Sequence, residues 1–500
     1  MRINVSDSIH ITICFSKSMD SLSLTNIKSY VVDSGIGNPI SVSVTTNCKC
    51  VNLTLANKLI NRRIYTISFS TVNDCEGNSI NPTNFHFSYY IPAINDVVIN
   101  EIMCDPMPSE GLPDYEYIEL YNKAIFPIDL SGWTFSSSSH KKTMPAIVIL
   151  PDSFIVLTGS AGYQAYVGLG LPVYEVKGFP VLSNSGAVLT LRNEKGQVMN
   201  AVNYSDSWYN DPYKSQGGFS LEMVDPKYSC IGENNWKASN DSKGGTPGKV
   251  NSVHGVNPGN TLSSLLRISV ISSDSIELYF SESMDSLTLI QKSVYSIDNG
   301  IGEPIVAIPV SPFFNSVKLK LPAPLQNNTI YSCNVNNLDN CLGNSLGTEN
   351  SCRFSIPEPP LKNEVVINEI MFDPWDGGVK WLEIVNSSSK TIDISKLLIG
   401  KFDTVQQVTI NPAVIFEQGF LMFPGQYIVI SPNGSEIKQQ YFTTNPNGFI
   451  DISSLPTLHN EGALCLSDKN ENVIDHIKYS SSMHSPLLNS TKGISLERIN

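Results

Sequence analysis

Two pairs of glutamates in strand-like segments are the residues of this sequence best placed for chemistry. Glu101 and Glu119 return as Glu369 and Glu383. Two neighbouring carboxylates can act as general acid and base, or they can hold a cation. Alternatively, each closes a hydrogen bond or a salt bridge at a sheet edge or loop base. Because no second catalytic group accompanies them in the sequence, we favour the structural role.

Aspartates close to these glutamates add a calcium hypothesis. Asp105 and Asp373 each precede a proline, and Asp114 and Asp376 lie nearby. Hard cations such as calcium bind several oxygen ligands at once. The alternative is that Asp-Pro begins a turn, because aspartate bonds to its own backbone there. The candidate calcium ligands are Glu101, Asp105, Glu119, Glu369, Asp373 and Glu383.

Other motifs do not predict a reaction. The Gly-Ile-Gly segments at 35–37 and 300–302 are typical of turns, since no helix follows to bind a phosphate. The segment 245–250, GTPGKV, lacks the spacing of a nucleotide-binding loop. The histidines form no metal set, and neither HExxH nor GxSxG occurs. We therefore predict no catalytic residue and no cofactor, with calcium as the one exception considered.

The sequence is duplicated, which helps to distinguish residues that the shared fold requires from residues that occur in one copy by chance. FSKSMDSLSL at 15–24 returns as FSESMDSLTL at 280–289, and VVINEIMCDP at 97–106 returns as VVINEIMFDP at 365–374. A residue that a shared fold requires appears in both copies. The glutamate pairs meet this condition.

Composition excludes several classes of protein. The 500 residues include 46 acidic and 33 basic ones, giving a net charge of −13, which repels nucleic acids and anionic lipids. Hydrophobic residues make up 41%, as in ordinary globular chains. We see no apolar run of the roughly 18 residues that cross a bilayer, and no signal peptide. Both ends interrupt a repeated pattern, so we expect a piece of a longer protein.

Alternating apolar residues predict an all-β chain. Ile9, Ile11 and Ile13 alternate with polar neighbours, as do Ile276 and Leu278, which is the period of a half-buried strand. Turn-forming residues separate many such runs, and this density of short strands favours sandwiches. Only 161–167 and 436–441 are predicted as short helices.

Short motifs in a fixed order carry a family resemblance. The N-terminal part of each repeat, with FSxSMDSL and a D/N-C-x-G-N turn, resembles bacterial Ig-like domains of the surface-layer type. The C-terminal part resembles the lamin tail domain through NEIMCDP, YIELYN, IDLSGW, LSNSGAVLTL, VNYSDSW, GFSLE and TPG. The resemblance implies Ig-type sandwiches. It also implies non-catalytic modules of exported multidomain proteins.

This resemblance gives four tandem Ig-like β-sandwich domains. We expect residues 1–92 to form an N-terminally incomplete bacterial Ig-like domain, and 93–250 to form a lamin tail domain. A linker at 251–261 precedes a second Ig-like domain at 262–358. Residues 359–500 form a second lamin tail domain, which we expect to be incomplete at its C-terminus because it stops before its own Trp and TPG.

The sequence does not settle which cysteines form disulfides. Only Cys75 and Cys341 occupy a shared position, and each has candidate disulfide partners nearby. The candidates are Cys48 or Cys50 for the first, and Cys333 or Cys352 for the second. The alternative is that these cysteines are buried free thiols.

The tryptophans either pack inside or form an exposed platform for a sugar or a partner: Trp133, Trp208, Trp236, Trp375 and Trp381.

The favoured function is a non-enzymatic, exported spacer or adhesive protein that meets a protein or carbohydrate partner at the cell surface. The alternative is a set of accessory binding domains of a larger secreted hydrolase or nuclease. Binding of nucleic acid, by analogy with nuclear lamin tails, conflicts with the acidic balance.

Overall fold

Short alternating segments form strands throughout the structure, which is a computed structural model. It describes residues 1–81, 83–257, 262–445, 447–453 and 455–499. The chain divides into two compact units, Met1–Gly259 and Asn260–Asn500. Each unit holds two β-sandwiches, numbered here in chain order, and this confirms the predicted all-β tandem fold.

The first sandwich buries the apolar face of each strand between two sheets. Its strands are Arg2–Val5 (β1), His10–Cys14 (β2), Tyr30–Val32 (β3), Pro39–Val44 (β4), Cys50–Leu55 (β5), Arg63–Phe69 (β6) and Asn84–Tyr89 (β7). One sheet has the order β1-β2-β5-β4 and the other β3-β6-β7. Ile11 and Ile13 are buried while His10 is exposed, as the alternation predicts.

The second sandwich is larger. Its strands are Val97–Met103 (β8), Tyr117–Asn122 (β9), Ile128–Asp129 (β10), Thr134–Ser137 (β11), His140–Thr143 (β12), Val148–Ile149 (β13), Ser153–Thr158 (β14), Val173–Glu175 (β15), Gly186–Arg192 (β16), Val198–Ser205 (β17), Leu221–Met223 (β18) and Trp236–Ala238 (β19). The main sheets have the orders β15-β14-β9-β8-β18-β19 and β12-β11-β16-β17, and β10 pairs with β13. Strand β8 is buried along its whole length.

The third sandwich repeats the topology of the first. Its strands are Leu265–Ser272 (β20), Ser275–Phe280 (β21), Tyr295–Ile297 (β22), Val306–Pro309 (β23), Ser316–Lys320 (β24), Tyr331–Val335 (β25) and Ser351–Phe354 (β26). The sheets have the orders β20-β21-β24-β23 and β22-β25-β26.

The fourth sandwich repeats most of the second. Its strands are Val365–Met371 (β27), Trp381–Asn386 (β28), Ile392–Asp393 (β29), Leu397–Asp403 (β30), Val408–Val414 (β31), Leu421–Met422 (β32), Tyr427–Ser431 (β33), Phe449–Asp451 (β34), Glu461–Asp468 (β35), Val473–Ser480 (β36) and Leu496–Glu497 (β37). The main sheets have the orders β34-β33-β28-β27-β37 and β31-β30-β35-β36, and β29 pairs with β32.

The α-helices are short. They are Ser21–Thr25 (α1), Ser160–Val167 (α2), Ser286–Leu289 (α3) and Gly434–Gln440 (α4). Helices α2 and α4 lie close to the predicted positions. Helices α1 and α3 were not predicted from the sequence. Their N-caps are Asp20 and Asp285 of the repeated SMDSL motif. In the part of the chain that the structure describes, every helix is too short to span a bilayer.

Short 3₁₀ helices join several strands. They are Ile27–Ser29, Asp206–Tyr209, Lys214–Gln216, Pro226–Tyr228, Gly232–Asn235, Lys292–Val294, Ile394–Lys396 and Ser481–Met483.

The predicted disulfide partners are wrong. Cys50 pairs with Cys14, which faces it directly across antiparallel strands at a Cα–Cα distance of 4.1 Å. Cys75 is an exposed free thiol in a turn. The partners proposed for Cys341, namely Cys333 and Cys352, are both free, although Cys341 itself is not among the free cysteines. Spacing in the sequence does not reveal which strands are neighbours.

In each unit, two sandwiches meet through side-chain contacts. Tyr90, which follows β7, stacks on Phe126 of the second sandwich with ring centroids 4.8 Å apart. Beside this stack, Arg2 of β1 forms an ion pair with Asp129 of β10 at 3.1 Å. We call this contact region the first junction.

The second junction lies between the third and fourth sandwiches. The Arg267 guanidinium lies 3.5 Å from the Tyr279 ring centroid and 4.9 Å from that of Phe416. It also donates to the Gln418 side chain at 2.6 Å and to the Gly419 carbonyl. Leu421 of β32 belongs to the apolar core of the third sandwich. The two sandwiches of this unit therefore share buried surface.

Candidate functional site: a buried carboxylate cluster

The register of three adjacent strands brings three glutamates together in the second sandwich. Glu101 of β8 lies opposite Glu119 of β9 on one side and Glu222 of β18 on the other. All three are fully buried, with 0% of each residue exposed. Sequence reasoning selected Glu101 and Glu119 but missed Glu222. The repeated GFSLE motif, with the matching ISLE at Glu497, was the signal for this third carboxylate.

Neutral donors surround Glu101. Its Oε1 accepts hydrogen bonds from Tyr117 Oη at 2.7 Å, Ser220 Oγ at 2.6 Å and the Thr246 backbone N–H at 2.7 Å. Thr246 Oγ1 lies between two carboxylates, 2.9 Å from Glu222 Oε1 and 3.4 Å from Glu101 Oε2. The Thr246 side chain thus contacts both glutamates.

The other two carboxylates bind the same stretch of chain. The Gly248 backbone N–H donates to Glu119 Oε2 at 2.5 Å. Glu222 Oε2 accepts from Ser252 Oγ at 2.7 Å and from the Val253 N–H at 3.1 Å. We call residues 244–253, which contain GGTPG, the cap segment. The three glutamates thus hold this segment against β8, β9 and β18.

The predicted linker at 251–261 therefore needs a correction. Asn251 is buried, and its side-chain amide donates to the carbonyls of Asn100 at 3.0 Å and Met223 at 2.8 Å. Residues 251–253 belong to the second sandwich because their polar groups complete its hydrogen bonds. Residues 258–261 of the predicted linker lie outside the described residues.

Glycine is required where the cap segment approaches the cluster. A Cβ at Gly245 would lie 2.6 Å from Tyr117 Oη and 2.7 Å from Glu101 Oε1. Gly244 has a φ of +88°, and its Cβ would lie 1.8 Å from the Gly218 carbonyl oxygen. Both residues allow the backbone to come close enough to donate hydrogen bonds.

Burial favours the neutral form of the acids. The pKa of Glu101 is raised, first by burial and then by the neighbouring Glu222 carboxylate. Burial and the charge of Glu101 also raise the pKa of Glu119 well above its ordinary value. Because the hydrogen-bond donors named above are neutral groups, protonation is the available way to reduce this buried negative charge.

The fourth sandwich presents the same carboxylates in a more open setting. Glu369 lies opposite Glu383 and Glu497 in the register of β27, β28 and β37. Glu369 and Glu383 are half-buried, and Glu497 is exposed. Ser495 Oγ donates to Glu369, and Asn368 donates to Glu383 at 2.9 Å. Burial raises the pKa of Glu369 and Glu383.

The calcium candidates are distributed unevenly around these two clusters. The structure brings Glu101 together with Glu119, and Glu369 together with Glu383. Asp373 accepts a hydrogen bond from Thr491 Oγ1 at 3.3 Å. Within the described ranges, no group of three or more His, Cys, Asp or Glu residues is arranged to hold a metal ion. Calcium binding by these residues, Asp105 included, stays a hypothesis beside the prediction that the protein has no metal ligand.

Four tryptophans pack inside and one is exposed. Trp133, Trp208, Trp236 and Trp381 are at most 8% exposed, whereas Trp375 is 51% exposed. Of these five tryptophans, Trp375 is therefore the one placed to form an aromatic platform on the surface.

A surface cleft lies beside the first junction. It has a volume of about 430 Å³ and is lined by both sandwiches of the unit. Its walls include Arg2, Phe85, His86, Ile125 and Phe126. Ile125 is 83% exposed, so the cleft includes exposed apolar surface.

Comparison with known families agrees with this architecture of tandem Ig-like sandwiches. Residues 91–206 and 358–481 match the model of the Lamin Tail Domain family. Residues 2–89 and 252–356 match the model of a Bacterial Ig-like domain family. Regions that match the two family models thus alternate along the chain, which confirms the resemblance seen in the sequence.

Solved structures give more distant likenesses. The N-terminal part of the bacterial S-layer protein SbsC is 14% identical, with a TM-score of 0.20, over 41% of this chain and 43% of that one. A DUF4876 family protein from Bacteroides thetaiotaomicron is 12% identical, with a TM-score of 0.21, over 43% of this chain and 86% of that one. The chain spans less than half of the SbsC fragment. Comparison with curated proteins gave no match.

Proposed function

We propose that this protein is a non-catalytic, exported structural protein that acts as a spacer or adhesive module at the cell surface. The observation that carries the proposal is the packing at the two junctions. Each Ig-like domain is fastened to the lamin tail domain that follows it, by Tyr90 with Phe126 in one unit and by Arg267 with Phe416 in the other. Such junctions suit a protein that keeps a distance between two points.

The recurring carboxylates also support a structural role. Glu101, Glu119 and Glu222 are buried, and their partners are backbone, hydroxyl and side-chain amide groups of the protein itself. A catalytic carboxylate must reach a substrate. These three instead bind the cap segment.

An oxidising compartment agrees with the disulfide between Cys14 and Cys50, since disulfides persist mainly in exported proteins. We propose a protein or carbohydrate partner, for which the cleft beside the first junction and the exposed Trp375 are the candidate surfaces. Nucleic acid is disfavoured by the net charge of −13.

Location is tested on intact source cells. An antibody against the chain should label unbroken cells, and a protease added outside should remove the signal. Labelling that appears only after lysis would contradict the proposal.

The stiffness of the second junction is tested by resonance energy transfer between two dyes on the full chain. Dyes are introduced through unnatural amino acids at two exposed residues, Leu287 of the third sandwich and Val405 of the fourth. We expect one narrow distance distribution, which Arg267→Ala broadens and the exposed control Lys318→Ala leaves unchanged. A broad distribution in the unaltered protein would argue against a spacer.

A further inference from the structure

Two cysteines face each other across strands β25 and β26 of the third sandwich. Cys333 lies directly opposite Cys352 in the antiparallel register, two positions from the stacked pair Tyr331 and Phe354. Cys333 belongs to the apolar core of this sandwich and Cys352 packs against that core, so both side chains point to the same inner face. Cys333 is fully buried, Cys352 is half-buried, and both are free thiols.

The register places the two thiols within reach of one another. The Val335 N–H donates to the Asn350 carbonyl at 2.9 Å, which makes these two residues a hydrogen-bonded pair of the ladder. Cys333 and Cys352, two positions along, form the next such pair, whose Cα atoms are typically about 5.5 Å apart. Disulfides usually join Cα atoms roughly 4.4 to 6.8 Å apart. The pKa of Cys333 is raised to about 12, first by burial and then by the neighbouring Cys352, which agrees with their proximity.

The duplication distinguishes a bonded pair from two cysteines that only fill space. In the first sandwich, Ile67 and Phe85 face each other at the equivalent positions of β6 and β7. Both of these apolar residues are replaced by cysteine in the third sandwich, whereas a space-filling thiol needs no cysteine opposite it. Cys14 and Cys50 show the same pattern in the other copy: they face each other, they are bonded, and neither equivalent position in the third sandwich holds cysteine.

We propose that Cys333 and Cys352 are a site of covalent modification, where a disulfide joins β26 to β25 when the chain folds in an oxidising compartment. Strand β26 is the last strand of the third sandwich, and in the described sheet it pairs with β25 alone. The bond therefore fastens to its sheet the strand from which the chain passes to the fourth sandwich. The proposal concerns the third sandwich by itself, so it stands whether or not the protein acts as a spacer.

The oxidant is a disulfide, of either a small molecule or an oxidoreductase. The Cys352 thiolate attacks one sulfur of this donor, which releases one donor thiol and leaves a mixed disulfide. Cys333 then loses its proton, and its thiolate displaces the second donor thiol from Cys352. The two cysteines lose two protons and two electrons in total, and the donor gains them as two thiols. Because burial raises the pKa of Cys352 to about 11, little thiolate exists in the folded sandwich, and we expect the exchange during folding.

The effect of the bond is measured by unfolding with and without a reductant. The bond closes a loop of about 20 residues, so reduction should raise the unfolding equilibrium constant of the third sandwich by about a hundredfold or more. Urea unfolding, followed for each sandwich by hydrogen–deuterium exchange, gives this constant. Cys352→Ala should abolish the dependence on reductant in the third sandwich. The paired control, Cys14→Ser with Cys50→Ser, should leave it unchanged there.

The bond itself is tested by refolding the full chain. Chain that is reduced and unfolded in urea is refolded in a mixture of reduced and oxidised glutathione, and the remaining thiols are alkylated. Cleavage at Asp339 and Glu349 places Cys333, Cys341 and Cys352 on three different peptides. Mass spectrometry should show the peptides of Cys333 and Cys352 linked to each other. Alkylation of both cysteines, or a link from either one to a different cysteine, would overturn the proposal.

Discussion

The second and fourth sandwiches place equivalent glutamates in the same strand register but give them different surroundings. Glu101 is fully buried under the cap segment, whereas Glu369 is half-buried and accepts from Ser495. The strands that carry the two residues, β8 and β27, are identical in sequence. The difference comes from residues 236–253, outside the strands that carry the glutamates. A repeated residue therefore has its role completed by a segment that is distant in sequence.

The first and third sandwiches show a similar divergence at one strand pair. Cys14 and Cys50 are bonded across β2 and β5, while Tyr279 and Ser316 face each other in the corresponding strands β21 and β24. Tyr279 instead supports Arg267 at the second junction. The same position serves internal stability in one copy and contact between sandwiches in the other.

The largest expected effect comes from forcing the cap segment away. Gly245→Val places a side chain against Tyr117 and Glu101, so we expect the free energy of unfolding of the second sandwich to fall by about 4 kcal/mol. Urea unfolding, followed for each sandwich by hydrogen–deuterium exchange, measures this. The control Gly255→Ala meets nothing closer than 3.8 Å and should change little. Equal loss in both variants would mean that the cap segment is not closely fitted.

Removal of the disulfide should lower the stability of the first sandwich and leave that of the third unchanged. The bond closes a loop with a sequence separation of 36, so the paired change Cys14→Ser and Cys50→Ser should cost the first sandwich about 3 to 4 kcal/mol. The same urea experiment should show no change in the third sandwich. Cys75→Ser, at an exposed free thiol, is the control and should be nearly neutral. A similar loss from Cys75→Ser would indicate a different pairing.

The same substitution at equivalent glutamates measures how much the cap segment adds to the free energy of unfolding. Glu101→Ala leaves Tyr117 Oη and the Thr246 N–H without their acceptor and should cost about 2 to 3 kcal/mol. Glu369→Ala, in the half-open cluster, should cost less than about 1 kcal/mol. Urea midpoints of the two sandwiches give the comparison. Equal costs would contradict the distinction between a capped and an open cluster.

Stability should also depend on pH in the second sandwich. The pKa of Glu101 is raised by burial above its ordinary value of 4.5, so the unfolded chain ionises before the folded one. The stability contribution is fully present below the unfolded pKa and is lost as pH rises through the folded pKa. For one proton, the slope is at most about 1.4 kcal/mol per pH unit.

Glu101→Gln, which cannot ionise, should flatten this decline. The matched change Glu369→Gln should alter the slope for the fourth sandwich much less, since that carboxylate is half-exposed. Urea unfolding between pH 4.5 and neutral checks both. A slope for the second sandwich that Glu101→Gln leaves unaltered would show that this carboxyl does not retain its proton.

Much of the architecture was predictable because short strand patterns depend on local sequence. The alternation in β2 and the motif order gave the all-β tandem fold, and the duplication selected Glu101 and Glu119. Glu222 and Thr246 were missed because their approach depends on the pairing of β18 with β8. The Cys14–Cys50 bond was missed for the same reason, since its partners are adjacent only once β2 and β5 pair.

The most direct test of the architectural role of the glutamates is amide exchange of the cap segment in the unaltered protein at neutral pH. If Glu101, Glu119 and Glu222 hold this segment, the amides of Thr246, Gly248 and Val253 should exchange as slowly as those of β8. Exchange at the rate of the exposed residues 215–216 in the 3₁₀ helix Lys214–Gln216 would contradict the account, because the carboxylates would then be open to solvent.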